Sequence, residues 1–116
     1  MGDSFISTAG LKKLLGSGAP PVILDVRKRA AFDESGEMLP GATWRDPFQI
    51  SVWMRDLEAE TSYIVHCVHG HEVSQLAGQT MRDAGFDARV LFGGIEGWRD
   101  GGGELAPAAQ NEKAGS

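Results

Sequence analysis

Tyr63-Ile64-Val65-His66-Cys67 runs directly into Val68-His69-Gly70-His71-Glu72-Val73, and the reading of that junction decides the fold. Residues 63 to 67 are a short, mostly apolar run of the kind that forms a strand buried on both faces. From Val73 onward, apolar residues at 73, 76, 77, 81 and 84 recur at helical spacing, and Gly85 ends the series. Residues 68 to 72 must therefore turn a strand into a helix, with Gly70 supplying the freedom for a positive φ. A tight loop feeding a helix N-terminus points successive backbone N–H groups into one concavity, and such a concavity binds anions. The stretch also holds the chain's only cysteine and all three of its histidines. A sulfur at that place is favoured as thiolate, the form that attacks sulfur or phosphorus. Three readings compete here: a catalytic thiolate loop, a metal site, and an inert buried cysteine.

Working outward, strand and helix patterns alternate. Ser7 can cap a helix whose apolar face is Leu11, Leu14 and Leu15, with Ile6 positioned to pack on Leu11 and Gly16 as the stop. After the Pro20-Pro21 break, Val22 to Val26 reads as a strand covered on both faces. Lys28 to Phe32 reads as a short helix, and Leu39 to Ala42 as a turn into a brief strand at Thr43-Trp44. Phe48 to Leu57 reads as a helix with Pro47 near its first turn. Ala88 to Phe92 is a strand, and Gly93-Gly94 opens a short helix carrying Trp98. The expected domain spans residues 1 to 103, and residues 104 to 116 are small and polar enough to predict a disordered tail. Strands separated by helices predict an α/β three-layer sandwich with a mainly parallel sheet. Ligands of such sheets gather outside the carboxyl ends of the strands, where Cys67 lies.

Composition narrows the function. The 116 residues carry 16 acidic and 11 basic groups, a formal charge of −5, and no run of Lys or Arg longer than Arg27-Lys28-Arg29, which argues against nucleic acid and anionic membrane as partners. No apolar run approaches a membrane span, and the N-terminus lacks the basic and apolar blocks of a signal peptide. A single cysteine excludes an internal disulfide framework. A soluble, cytoplasmic monomer is expected, although a mature secreted form would look the same.

Four separated stretches then form an ordered series: Val22-Ile23-Leu24-Asp25-Val26-Arg27 with Ala31-Phe32; Leu39-Pro40-Gly41-Ala42; Cys67-Val68-His69-Gly70; and Gly93-Gly94-Ile95-Glu96-Gly97-Trp98. Over residues 5 to 103 this resembles the rhodanese-like, or sulfurtransferase, domain family. The resemblance implies a mainly parallel five-stranded sheet with helices on both faces and an active-site loop after the fourth strand. It implies that Cys67 takes a sulfane sulfur as a persulfide and hands it to a nucleophile, with residues 68 to 73 as the binding loop and no cofactor. The family's Asp-x-Arg pair falls on Asp25 and Arg27, and its Gly-Gly-x-x-x-Trp segment on Gly93, Gly94 and Trp98.

Two departures bear on substrate. Glu72 stands where the family's sulfurtransferases usually have arginine, and Met38 stands where a histidine usually precedes the Pro-Gly-Ala turn. The loop from Cys67 to Glu72 thus has no Lys or Arg, which disfavours free thiosulfate relative to a neutral or protein-borne persulfide. Related phosphatases use a loop one residue longer with an arginine, and this chain has neither. His66 and Cys67, adjacent on a strand, point to opposite faces, so Cys67, His69 and His71 are one ligand short of a closed zinc site, and no metal is expected. His69 and His71 flank the cysteine, either stabilising its anion or lying in solvent. Asp25 and Arg27 read as an ion pair bracing loops, Trp98 as core or pocket wall, and Trp44, Phe48 and Trp53 as packing or, if exposed, a partner surface. The enzyme reading expects a small or protein-borne persulfide or polysulfide donor and a thiol acceptor. The alternative is a redox sensor or adaptor on the same fold, with an oxidisable or metal-responsive Cys67.

Overall fold

The pleat of three central strands divides the core in two. Ile23, Ile64 and Leu91 face one way, while Leu24, Val65 and Val90 face the other, each set buried under its own layer of helices. The computed structural model describes residues 4 to 108. Its main sheet contains β1 (Phe5–Ile6), β2 (Val22–Asp25), β4 (Thr43–Trp44), β5 (Ser62–His66) and β6 (Asp87–Leu91) in the order β1-β6-β5-β2-β4, all parallel. Between them run α1 (Thr8–Leu15), α2 (Arg29–Ser35), α3 (Ile50–Trp53), α4 (Glu72–Asp83) and α5 (Gly94–Asp100). Leu11 of α1, Phe32 of α2 and Trp98 of α5 join the first core, and Trp53 of α3 with Ala77 and Met81 of α4 join the second. This is the three-layer α/β sandwich that the alternating pattern predicts. No helix among the described residues is long and apolar enough to cross a membrane.

Four local expectations need correction. Phe5–Ile6 precedes the first helix in the sequence pattern and is a strand in the structure; two residues are too short for a period, and what makes them a strand is pairing with Val90 and Leu91. The Ser7 cap is as read, its hydroxyl accepting from the Gly10 amide at 2.9 Å. The helix expected over residues 48 to 57 is instead a 3-10 turn at Pro47–Gln49, the single turn α3, and a 3-10 turn at Met54–Asp56. The Trp53 indole donates to the Asp46 carbonyl at 2.8 Å, and the Asp46 side chain accepts the Phe48 amide, so side chains satisfy what a longer helix would have. The α4 face is rotated from its expected position, with Ser74, Ala77, Gly78 and Met81 buried and Leu76 exposed. A serine and a glycine on the inner face are invisible to a search for apolar period. A Cβ on Gly78 would lie 2.9 Å from Val90 Cγ2, so the helix sits too close to the sheet for a larger residue.

The fourth correction concerns the end of the domain. It does not stop at 103: β3 (Glu37–Met38) pairs antiparallel with β7 (Ala106–Pro107), and Ala108 is buried in the first core. The Trp98 indole donates to the Glu104 carbonyl at 2.7 Å, and the Ala108 amide to the Gly36 carbonyl at 3.0 Å. Residues 109 to 116 of the expected tail lie outside the described residues. Ending the chain after Gly103 would strand the Trp98 indole N–H and uncover Met38. At about 1 kcal/mol per lost hydrogen bond plus lost burial, the truncated protein should be less stable by about 2 kcal/mol or more. Thermal unfolding followed by circular dichroism should show Tm lower by about 10 °C; an unchanged Tm would mean this closing strand is ornamental.

Candidate active site

Cys67 lies one residue past the end of β5, at the carboxyl edge of the sheet, and only 7% of its surface is exposed. The loop after it is shaped by where its carbonyls go. Cys67 O accepts the Ile95 amide at 3.0 Å and Val68 O accepts the Glu96 amide at 3.1 Å, both from the first turn of α5. Gly70 O accepts the Gln75 side-chain amide at 2.9 Å, and His71 O accepts the Gln75 backbone amide at 3.0 Å. Because a trans peptide is planar, its C=O and the next residue's N–H point in opposite directions. Tying these four carbonyls inward therefore turns the amides of Val68, His69, His71 and Glu72 outward. Among the described residues, the amide N–H groups of 68 to 74 donate to no acceptor, and His71 places no side-chain cap on α4. Unfilled donors in a curl of backbone at the start of a twelve-residue helix have the geometry of the nests that bind anions.

The glycines make this approach feasible. Gly94 has φ of 62°, and a Cβ there would collide with Val68 O and lie 2.6 Å from Cys67 O. Gly70 has φ of 77°, and a Cβ there would lie 2.9 Å from Gly93 N and from Leu91 O. Gly70 and Gly94 are thus needed because backbone meets backbone at this spot.

A cleft of about 410 Å³ opens over the sulfur, walled by Val68, His69, His71, Glu72 and Val73 from the loop and by Lys28 and Ala31 from across the sheet edge. Sequence reasoning missed two residues here. The Ser74 hydroxyl lies 3.1 Å from Cys67 Sγ, where it can donate to a thiolate. Its signal was a hydroxyl one helical turn into the inner face of α4. Lys28, exposed at the start of α2, supplies the cation that the loop lacks. Its signal was its place just beyond the carboxyl end of β2, the same sheet edge as Cys67. Gly70 is buried beneath the loop, while His69 and His71 are exposed with ring centroids 6.3 Å apart. Among the described residues no three His, Cys, Asp or Glu side chains gather as metal ligands.

The other predicted residues are not at the cleft. Trp98 is core and borders a separate hollow with Lys12 and Gly103. Asp25 and Arg27 form a fully buried pair: Arg27 Nη2 to Asp25 Oδ2 at 2.7 Å and Nε to Oδ1 at 2.9 Å, with the Arg27 amide also on Oδ1. Arg27 Nη2 further donates to the Glu37 carbonyl at 2.7 Å. Neither residue lines the cleft, so the pair braces the strand ends from beneath.

His66 sits between the two systems, fully buried. Its Nδ1 lies 3.3 Å from Cys67 O, and since a carbonyl only accepts, Nδ1 carries the proton. Nε2 is left as an acceptor with no partner, 3.9 Å from Asp25 Oδ2 and beyond hydrogen-bond reach. Burial lowers the imidazole pKa below its ordinary 6.5, and Arg27 adds to this, against the opposing pull of Asp25 and of the Cys67 carbonyl.

With that geometry in view, the comparisons decide the family. The model of the rhodanese-like domain matches residues 7–100. The chain belongs to the rhodanese-like domain family. Among solved structures it resembles a rhodanese-like domain protein from Staphylococcus aureus, 26% identical, with TM-score 0.74 over 87% of this chain and 96% of that one. A rhodanese-related protein from Thermoplasma volcanium, 22% identical, superposes with TM-score 0.76 over 87% and 95%. A Rhodopseudomonas palustris protein of unknown function, described as a possible tyrosine phosphatase, is 26% identical with TM-score 0.78 over 89% and 84%. A search of the curated proteins found no match. The loop after the sheet's fourth strand in chain order is therefore the rhodanese-like domain's cysteine loop, here built without arginine.

The lowered pKa of His66 fixes the sign of a pH effect. Between the folded pKa and 6.5 the unfolded chain binds more protons than the native one, so stability rises with pH through that window. Acidification from neutral pH should lower the unfolding free energy by up to about 1.4 kcal/mol per unit. His66→Asn should flatten this slope in denaturant titrations across pH; an unaltered slope would mean His66 is not the group that titrates.

Proposed function

We propose that this domain is a sulfurtransferase in which Cys67 carries a sulfane sulfur between a persulfide donor and a thiol acceptor. The observation that supports it best is the set of unfilled amides, residues 68 to 74, around the chain's only cysteine. In the first half-reaction the Cys67 thiolate attacks the terminal sulfur of a donor R–S–SH. The donor's S–S bond breaks, R–S⁻ leaves, and Cys67–S–SH remains. In the second, an acceptor thiolate attacks that terminal sulfur and Cys67 leaves as thiolate, regenerating the enzyme. Each half conserves electrons, so no redox partner or cofactor is required. The leaving Cys67 thiolate is stabilised by the Ser74 hydroxyl and the helix start, and the outer sulfur lies toward the loop amides.

The charges around the cleft indicate the donor class. Lys28 and Glu72 offset each other at its mouth, and the loop offers no guanidinium. A doubly charged inorganic donor would be held by the backbone amides alone and against the Glu72 carboxylate, whereas a small organic persulfide, a polysulfide or a protein-borne persulfide brings less charge to that carboxylate. Phosphoryl transfer is disfavoured for the same reason, since a phosphate's several oxygens need more charge than this loop provides. The protein is expected to act as a cytoplasmic monomer.

Two experiments test this. Incubation with a low-molecular-weight persulfide should add the mass of one sulfur atom to the intact protein, removable by cyanide or excess thiol and absent in Cys67→Ser. If no persulfide donor changes the wild-type mass, the fold serves as a sensor or adaptor instead. Glu72→Arg should raise the thiosulfate rate by about tenfold or more, because a repulsion becomes a charge-assisted bond worth about 1.5–3 kcal/mol. The gain should shrink with added salt, and a folded variant with an unchanged thiosulfate rate would remove Glu72 from the account of specificity.

A further inference from the structure

Three depressions adjoin one another at the sheet edge. The Cys67 cleft shares Val73 with an apolar groove of about 160 Å³ between Pro47, Phe48 and Ile50 on one bank and Leu76, Ala77 and Thr80 on the other. Through Val68, His69 and His71 the cleft also adjoins a hollow of about 620 Å³, which shares no residue with the groove. Phe5 and Phe92, in edge-to-face contact, line that hollow together with the carboxylates Glu96 and Asp100. The result is one continuous track: apolar at one end, the nucleophile in the middle, aromatic and acidic at the other.

The exposed hydrophobic side chains are concentrated along it. Six large ones stand exposed among the described residues, and four of them, Phe5, Phe48, Leu76 and Phe92, line this track. Phe48, Leu76 and Phe92 keep 73%, 69% and 68% of their surface in solvent. Apolar side chains gathered around a polar-rimmed cleft mark an interaction surface. The charge along the track is unbalanced: Glu72, Glu96 and Asp100 against Lys28. Glu96 shares Arg99 with Glu37, and Asp100 has no ion-pair partner among the described residues. With a net charge of −5 behind it, this end attracts a cation.

The shape restricts the occupant further. Cys67 is recessed, so a sulfur displayed on a flat surface cannot reach it. A thiol carried on an extended chain can, because side chains two residues either side of it stand about 7 Å away along the strand, over the flanking depressions.

We propose that the track binds an extended, cysteine-containing segment of a partner protein. The partner's thiol or persulfide lies over Cys67. An apolar side chain enters the groove beside Phe48 and Leu76, and a lysine or arginine sits between Phe92 and Asp100. This deepens the sulfurtransferase reading and rests on it for the chemistry, while the docking itself is measurable without any transfer.

The test uses the full chain and unreactive synthetic peptides with a central serine in place of cysteine. One carries leucine two residues to one side and lysine two residues to the other, made in both orders; controls replace lysine by glutamate or leucine by serine. Calorimetric titration should give the leucine–lysine peptide, in its better order, at least about tenfold tighter binding than either control. Asp100→Lys should reverse the preference between lysine and glutamate peptides, and Leu76→Asp should weaken the leucine–lysine peptide to the level of the leucine-free control. Equal affinity for all peptides, or no response to either substitution, overturns the proposal. So does a concentration-dependent dimer abolished by Leu76→Asp, which would assign the face to a second copy of the chain. Persulfidated cysteine peptides, run beside a small persulfide, separate the two readings. Loading by the small donor with no peptide binding leaves the transferase and removes the docking, whereas selective peptide binding with no loading of Cys67 by any donor does the reverse.

Discussion

Two hydrogen bonds, from the Ile95 and Glu96 amides to the carbonyls of Cys67 and Val68, are what the site depends on. They join the start of α5 to the start of the cysteine loop, and peptide planarity converts that tie into an orientation. Carbonyls held inward mean amides turned outward, so the loop shows donors alone to whatever approaches the sulfur. The tie also accounts for the glycines around it. Gly94 and Gly70 lie where a Cβ would enter backbone that is already in contact. A cradle built from backbone does not depend on the side chain at position 72, so a glutamate there leaves its geometry intact.

The pleat of β5 separates chemistry from support. Tyr63 and Val65 face the α3 and α4 layer and Ile64 the other, so His66 falls beneath the sheet and Cys67 above it. Beneath, Arg27 closes on Asp25 through several charge-assisted bonds and reaches the Glu37 carbonyl, tying the end of β2 to β3. Removing one partner of such a buried pair costs about 3–5 kcal/mol, because the other charge is left alone in a dry interior. Above, Lys28, Glu72, His69 and His71 line the cleft with exposed side chains, where substitution costs little stability. The buried ion pair and the candidate site thereby lie on opposite faces of one strand.

The fold was legible because its signals are local and repeated. Val22 to Asp25, Ser62 to His66 and Asp87 to Leu91 are each long enough to display a buried strand, while Ser7 caps α1 and Gly16 and Gly85 mark the ends of α1 and α4. The elements that escaped are those without local signal. Phe5–Ile6 and Ala106–Pro107 are two-residue strands that exist by virtue of their partners, and α3 is a single turn stabilised by the Trp53 and Asp46 side chains. The inner face of α4 contains Ser74 and Gly78, so counting apolar residues put Leu76 inside when it is outside.

The sequence by itself determined that the chain alternates strands with helices, that one cysteine stands between a strand and a helix N-terminus, and that no Lys or Arg follows it in the loop. Those properties depend on neighbours in the chain, and the chain displays them. The tertiary structure alone decided what meets that cysteine from elsewhere. It brought Lys28 across the sheet edge, set Ser74 against the sulfur, laid Gly94 against the Cys67 carbonyl, and placed Phe5 and Phe92 in one hollow and Phe48 and Leu76 in another, each adjoining the cleft. Contacts between residues tens of positions apart arise from strand order and helix docking, and the order β1-β6-β5-β2-β4 follows from burying two apolar faces at once, which no single segment records.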